Sequence, residues 1–152
     1  MPRSLPTLLE YRALAEFRYQ LRSFLSFSER AARAAGLEPQ QHQLLLATKG
    51  LPLGMRPTIG TLAKRLCVEH HTAVALVDKL SAAGFVRRVA SERDRREVLV
   101  EITPDGERIL ASLSTMHRNQ LREVAPTLLK ALTSVLTDRA TQRERTSPTT
   151  PR

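Results

Sequence analysis

At 152 residues, 41% of them hydrophobic and 26% charged, the chain is long enough for one cored domain and too apolar for wholesale disorder. Lys and Arg outnumber Asp and Glu by 24 to 15, and the formal net charge of +9 favours polyanionic partners such as nucleic acid or anionic lipid. No window approaches the roughly 18 apolar residues of a membrane span, no apolar leader precedes the first helix, and the single cysteine, Cys67, excludes a disulfide framework.

The expected protein is therefore soluble, basic and cytoplasmic, a single domain over residues 1–140. From Leu8 to about Ala35, the residues Leu14, Phe17, Leu21 and Phe24 recur in steps of three and four, with Leu25 and Ala32 widening the stripe. That spacing predicts one long amphipathic helix. At about 42 Å it exceeds what one small core needs, so it is expected to pack against a second chain. Gly36 suits its end, since glycine takes the left-handed cap conformation cheaply. Pro39 suits the first turn of a second helix over 39–48, with Leu44, Leu45 and Leu46 as its apolar content. Two glycines and two prolines between Lys49 and Pro57 read as a loop.

Thr58 is a good N-cap for a short helix over Ile59–Leu66, and after the break Cys67–Glu69 a further helix runs from His70 to Ala83. Its expected buried face is Ala73, Leu76, Val77, Leu80 and Ala83, with Gly84 closing it. Strand-like runs follow at Phe85–Ala90 and Glu97–Ile102, joined by polar residues without glycine, which predicts a longer, mobile loop rather than a tight turn. Thr103-Pro104 then offers an N-cap and an N1 proline. A long helix carries Ile109, Leu110, Leu113, Met116, Leu121 and Val124; Pro126 is expected to break or kink it before a last helix through Leu136. Residues 141–152 read as a disordered tail.

The informative unit is 58–102: helix, three-residue break, helix, then a hairpin with an arginine-rich tip. Two helices joined by a tight turn beside a hairpin form a winged helix-turn-helix, and the fold class is mainly α with a two-stranded β-wing. The B-form major groove is about 12 Å wide and admits one helix, whose N-terminal residues then face base edges. Here these are His70, His71 and Thr72. Arg87, Arg88, Arg93, Arg95 and Arg96 put five guanidinium groups within ten residues of the hairpin, where a narrowed minor groove attracts them.

The runs Thr58-Ile59-Gly60-Thr61-Leu62-Ala63, Leu76-Val77-Asp78-Lys79-Leu80 and Gly84-Phe85-Val86-Arg87-Arg88 resemble the MarR-type transcriptional regulators. So do Asp94-Arg95-Arg96, Val98 to Gly106, and Leu37-Glu38-Pro39-Gln40. The resemblance implies a homodimer whose N- and C-terminal helices (8–35 and 104–140) interlock, with 39–103 as the DNA-binding lobe. It implies a repressor of pseudo-palindromic operators. Arg96 would approach the minor groove, with Arg93 and Arg95 beside it. Asp94 would brace the wing through an ion pair, and Lys79 and Arg88 would be backbone contacts or wing braces. Glu69 departs from the pattern, standing where the family usually has a small hydroxyl residue.

A small-molecule effector pocket is a further expectation, with Phe17, Leu21, His42 and His117 as its candidate residues. Two histidines far apart in sequence fall short of the four ligands of tetrahedral zinc, so neither a metal site nor a cofactor is expected. Cys67 is expected to be a packed small hydrophobe, as cysteine most often is. No phosphate loop and no nucleophile elbow is present, and the four aspartates sit in no catalytic setting, so the chain is not expected to be an enzyme. Two other readings of the same residues stay open: a winged helix serving protein contacts, and an architectural DNA binder without sequence choice.

Overall fold

A computed structural model describes residues 5–145. Five helices and one two-stranded sheet follow in the order α1 (Leu8–Ala34), α2 (Pro39–Lys49), α3 (Ile59–Leu66), α4 (His70–Ala82), β1 (Val86–Ala90), β2 (Val98–Ile102) and α5 (Pro104–Arg145). The strands are antiparallel, with Val86 opposite Ile102 and Val89 opposite Leu99. By their contacts the residues fall into two compact units: Ser28–His117, and the remainder, made of α1 through Phe27 and α5 from Arg118.

The Ser28–His117 unit has a continuous apolar core. Leu44 and Leu45 of α2, Leu62 of α3, Leu76, Val77 and Leu80 of α4, Val86 and Val100 of the hairpin, and Leu110 and Leu113 of α5 are all buried in it. Each side chain of this size contributes about 1.5–3 kcal/mol on burial, so the lobe has a core of its own. Local chemistry sets the ends of its elements. Thr58 Oγ1 accepts from the Thr61 backbone N–H at 3.1 Å and starts α3. Thr103 starts α5 in the same way, accepting from Gly106 N–H at 3.2 Å while its own hydroxyl donates to the Gly84 carbonyl at 2.6 Å. Gly36 and Gly84 end α1 and α4 at φ +83° and +79°.

In the other unit, α1 opens on a reciprocal cap that the sequence reading did not anticipate. Thr7 N–H donates to the Glu10 carboxylate and Glu10 N–H to Thr7 Oγ1. Ala13 and Ala131 are its buried apolar residues, while Leu8, Leu9, Tyr11, Leu14, Leu129, Leu132 and Leu136 are exposed.

Four expectations are corrected. Pro126 neither ends α5 nor divides it: the lost hydrogen bond and ring clash are local, and helix formers such as Ala125, Leu128, Leu129 and Lys130 carry the turns around it. The same helix runs on to Arg145, past the expected start of the tail at 141, and residues 146–152 lie outside those described. Ala83 is the exposed C-cap of α4 rather than part of its buried face, since the chain has begun to turn toward Gly84. Cys67 is exposed, not packed. It caps α3 in the left-handed conformation, φ 56° and ψ 42°, and that reversal of the chain turns its side chain to solvent.

The closest backbone approach lies where α5 starts beneath the hairpin. A Cβ on Gly106 would clash with the Phe85 carbonyl oxygen and stand 2.7 Å from Ile102 Cγ2; the first is backbone leading directly into β1 and cannot retreat without shifting the chain there. Gly106→Ala is therefore expected to destabilise the protein by about 1–3 kcal/mol, the usual range for overpacking. Urea unfolding checks this, and an unchanged midpoint would contradict the packing.

Candidate functional site

The α3–α4 turn is three residues long. Cys67 N–H donates to Lys64 O at 3.2 Å and Val68 N–H to Ala63 O at 3.0 Å, which folds the chain back sharply enough for α4 to start at once. Glu69 precedes α4 in extended conformation and makes no side-chain cap, as its departure from a small hydroxyl residue suggests. His70 and His71 are exposed at the head of the helix and Thr72 is half-buried. Leu76, Val77 and Leu80 anchor the opposite face in the core, so the first turn is held outward on a fixed support.

Of the five hairpin arginines, two are committed within the protein. Arg87 pairs with Glu101 on the facing strand. Arg88 donates to Asp78 of α4 at 2.6 Å and so ties β1 to that helix. Its geometry is that of a brace. Arg93, Arg95 and Arg96 are exposed and make no ion pair among the described residues, as is also true of Lys79 on α4. The charge available to a partner is thus concentrated at the tip of the hairpin.

The tip is a closed loop. Ser91 N–H donates to Glu97 O at 2.9 Å across its neck, and Glu97 N–H to Asp94 O at 3.0 Å. The buried Ser91 hydroxyl accepts from the N–H groups of Arg93 and Asp94 at 3.1 and 3.3 Å. In place of the expected ion pair, the Asp94 carboxylate accepts from the Arg96 backbone N–H at 2.9 Å. An aspartate three residues into a turn finds a local N–H more easily than a distant guanidinium.

Arg56, which sequence reasoning missed, reaches the same neck from the α2–α3 connection. Its guanidinium contacts the Ser91 hydroxyl and pairs with Glu97. Beside it, Val100 N–H donates to Pro57 O at 2.8 Å, and Thr58 bridges to Leu99 as a short third edge of the sheet. Nothing in the local sequence marks Arg56, because its partners are far along the chain.

The structure brings His42 and His117 together inside the lobe, their rings 4.7 Å apart and tilted by 35°. Both are buried, and His42 Nε2 meets no hydrogen-bond partner. Desolvation first, then the neighbouring His117, pushes the His42 pKa down to about 4. Burial also lowers His117, against the opposing pull of its backbone hydrogen bond to Ser28. Phe17 and Leu21, the other candidate pocket residues, lie on α1 in the other unit, half-buried and exposed respectively. Among the described residues, no group of three or more His, Cys, Asp or Glu side chains could hold a metal ion. No described helix is long and apolar enough to cross a membrane.

Comparison with known proteins points the same way. Residues 35–97 match the model of the MarR family. The transcriptional activatory protein BadR of Rhodopseudomonas palustris is 34% identical over 80 residues, 53% of this chain and 46% of BadR. The chain thus spans about half the length of the curated relatives it matches. Among solved structures, the transcriptional regulator BldR of Sulfolobus solfataricus is 27% identical with a TM-score of 0.62, covering 88% of this chain and 99% of BldR. An S. aureus MepR mutant bound to an oligodeoxyribonucleotide shares the fold at 14% identity and a TM-score of 0.60, covering 85% and 93% of the two chains.

The histidine pair makes stability depend on pH. His42 is depressed in the folded state, so the unfolded chain binds its proton first. Stability is then full above pH 6.5 and falls as pH drops from there toward 4, by about 3 kcal/mol at most. Urea midpoints measured from pH 7.5 to 4.5 should fall in the wild type and fall less in His42→Gln, where only His117 remains depressed. Parallel profiles would contradict this assignment.

Proposed function

We propose that the chain, whose residues 35–97 match the MarR family and whose fold is that of its solved members, is a MarR-type regulator that binds duplex operator DNA as a homodimer and represses transcription until a small molecule releases it. The observation that carries the reading is the division of the arginines. Internal acids take Arg87 and Arg88, while Arg93, Arg95 and Arg96 face outward from a closed loop on the lobe that also presents His70 and His71. A hairpin whose charge served solubility alone would not need its tip fastened by so many hydrogen bonds.

In this mechanism α4 enters the major groove with His70, His71 and Thr72 toward the base edges. Arg96 reaches the flanking minor groove, Arg93 and Arg95 meet phosphates, and Lys79 supports them from α4. Arg88, held by Asp78, and Asp94, capping the loop, set the angle of the wing. The exposed leucines of α1 and α5 support dimerisation, since an apolar surface of that kind calls for a partner. Two recognition helices must then meet half-sites about 34–36 Å apart.

The effector is proposed to act at His42 and His117, where a buried imidazole nitrogen without a partner offers a polar ligand a hydrogen bond worth more than in water. To release DNA it must favour a spacing of the helices that the operator does not fit. The protein is a regulator in this account, not an enzyme, and acts in the cytoplasm where its DNA lies.

Arg96→Ala should weaken binding to a preferred duplex about tenfold with the dimer intact. His71→Ala should change base preference while leaving the salt dependence as it was. Titration against scrambled competitor duplex measures both. Unchanged affinity in Arg96→Ala would remove the wing from the interface, and equal displacement by any duplex would mark an architectural binder.

A further inference from the structure

We propose that Arg56 is a positioning residue for DNA binding: it fixes the pose of the wing by bridging both ends of the 91–97 loop to the α2–α3 connection, without touching DNA. The proposal rests on the DNA-binding reading above and assigns a role outside the residues that reading uses. Arg56 is the only charged residue between Gly50 and Thr58. One of its terminal nitrogens meets Ser91, where β1 has just ended, and the other meets Glu97, just before β2 begins. A single planar group thus spans the neck of the loop.

The support behind Arg56 is itself fixed. Pro57 holds its own φ and has no N–H, so its carbonyl is the backbone group it can offer, and Val100 N–H takes it at 2.8 Å. Thr58 then bridges to Leu99 and caps α3. The guanidinium is therefore mounted on a segment tied both to the strands and to the helix-turn-helix. Its side chain and that of Glu97 are 32% and 26% exposed, partly withdrawn from water, where a paired charge is worth more than at an open surface. Both guanidinium arms are engaged inward, which leaves Arg56 poorly placed to hold a phosphate.

Two consequences bear on binding. The wing carries its free arginines on a loop without glycine but with only two short strands behind it, and closing the neck removes motion that binding would otherwise have to freeze. Pairing also cancels the Glu97 carboxylate, which would otherwise sit beneath those arginines and repel phosphate. Lysine at 56 could cancel that charge but has no fork with which to reach both partners.

The test compares full-length wild type, Arg56→Met, Arg56→Lys and Arg96→Ala. Hydrogen exchange on the free protein reads the brace, through the Ser91 and Glu97 amides, with the α4 amides Leu76–Leu80 as a control for folding. Binding to a preferred duplex over a range of salt reads its effect. Both Arg56 variants should exchange about tenfold faster at Ser91 and Glu97, with α4 unchanged, and should bind about tenfold more weakly with the same salt slope. A wild-type Arg56→Lys would reduce the role to charge, and a salt slope smaller by about one would make Arg56 a phosphate contact; either result overturns the proposal. Unchanged exchange in both variants would defeat the brace alone. Equal binding by wild type and Arg96→Ala would remove the wing from the interface, and with it the role given to Arg56; no binding of any duplex by wild type would defeat the DNA reading itself.

Discussion

Five guanidinium groups within ten residues repel one another, and the lobe is organised around containing that repulsion. Glu101 takes Arg87 from across the strand, and Asp78 takes Arg88 from α4. The remaining three are carried on a loop closed by backbone hydrogen bonds at Ser91 and Glu97, by the Asp94 carboxylate on the Arg96 backbone N–H, and by the Arg56–Glu97 pair at its neck. Because a backbone N–H takes Asp94 and Arg56 takes Glu97, the three tip guanidinium groups keep no ion-pair partner among the described residues. A surface that had simply accumulated arginines would pair them with whatever acids lay nearby, and the partners here are instead sorted by position.

The same lobe holds the recognition helix by its apolar face and the hairpin by its ends. Leu76, Val77 and Leu80 seat α4, while Gly106 lets the first turn of α5 lie against the Phe85 carbonyl and Thr103 ties Gly84 to it. Helix and wing therefore share one core, and Arg88–Asp78 links them at the surface. Against this apolar background the buried His42–His117 contact stands out as a polar feature inside the lobe. In the proposed account it is the site of acid sensitivity and of the effector.

Much of the fold was legible because it rests on local chemistry. The three- and four-residue steps from Leu14 to Phe24, the caps at Thr58 and Thr103, and the positive-φ glycines all act over a few residues. The errors came where a local rule met a longer-range outcome. Cysteine is buried on average, yet Cys67 occupies a left-handed cap that reverses the chain and exposes it. Proline breaks helices on average, yet the turns on either side of Pro126 carry α5 through it. The candidate site was legible by segment, in His70, His71 and the hairpin arginines, but not by role. Which arginines are spent internally depends on Asp78, Glu101 and the fold that brings them near, and Arg56 meets Ser91 across 35 residues of chain. The His42–His117 contact likewise exists only once α2 and α5 are packed.

The account's central claim is that this lobe reads duplex sequence as half of a symmetric pair, and selection from random duplex DNA at moderate salt tests it most directly. The account predicts enrichment of a two-fold symmetric motif, its half-sites about one helical turn apart, that outcompetes scrambled duplex. Failure to enrich any motif, with weak binding that fades as salt rises, would contradict it and leave only nonspecific attraction between a basic protein and a polyanion.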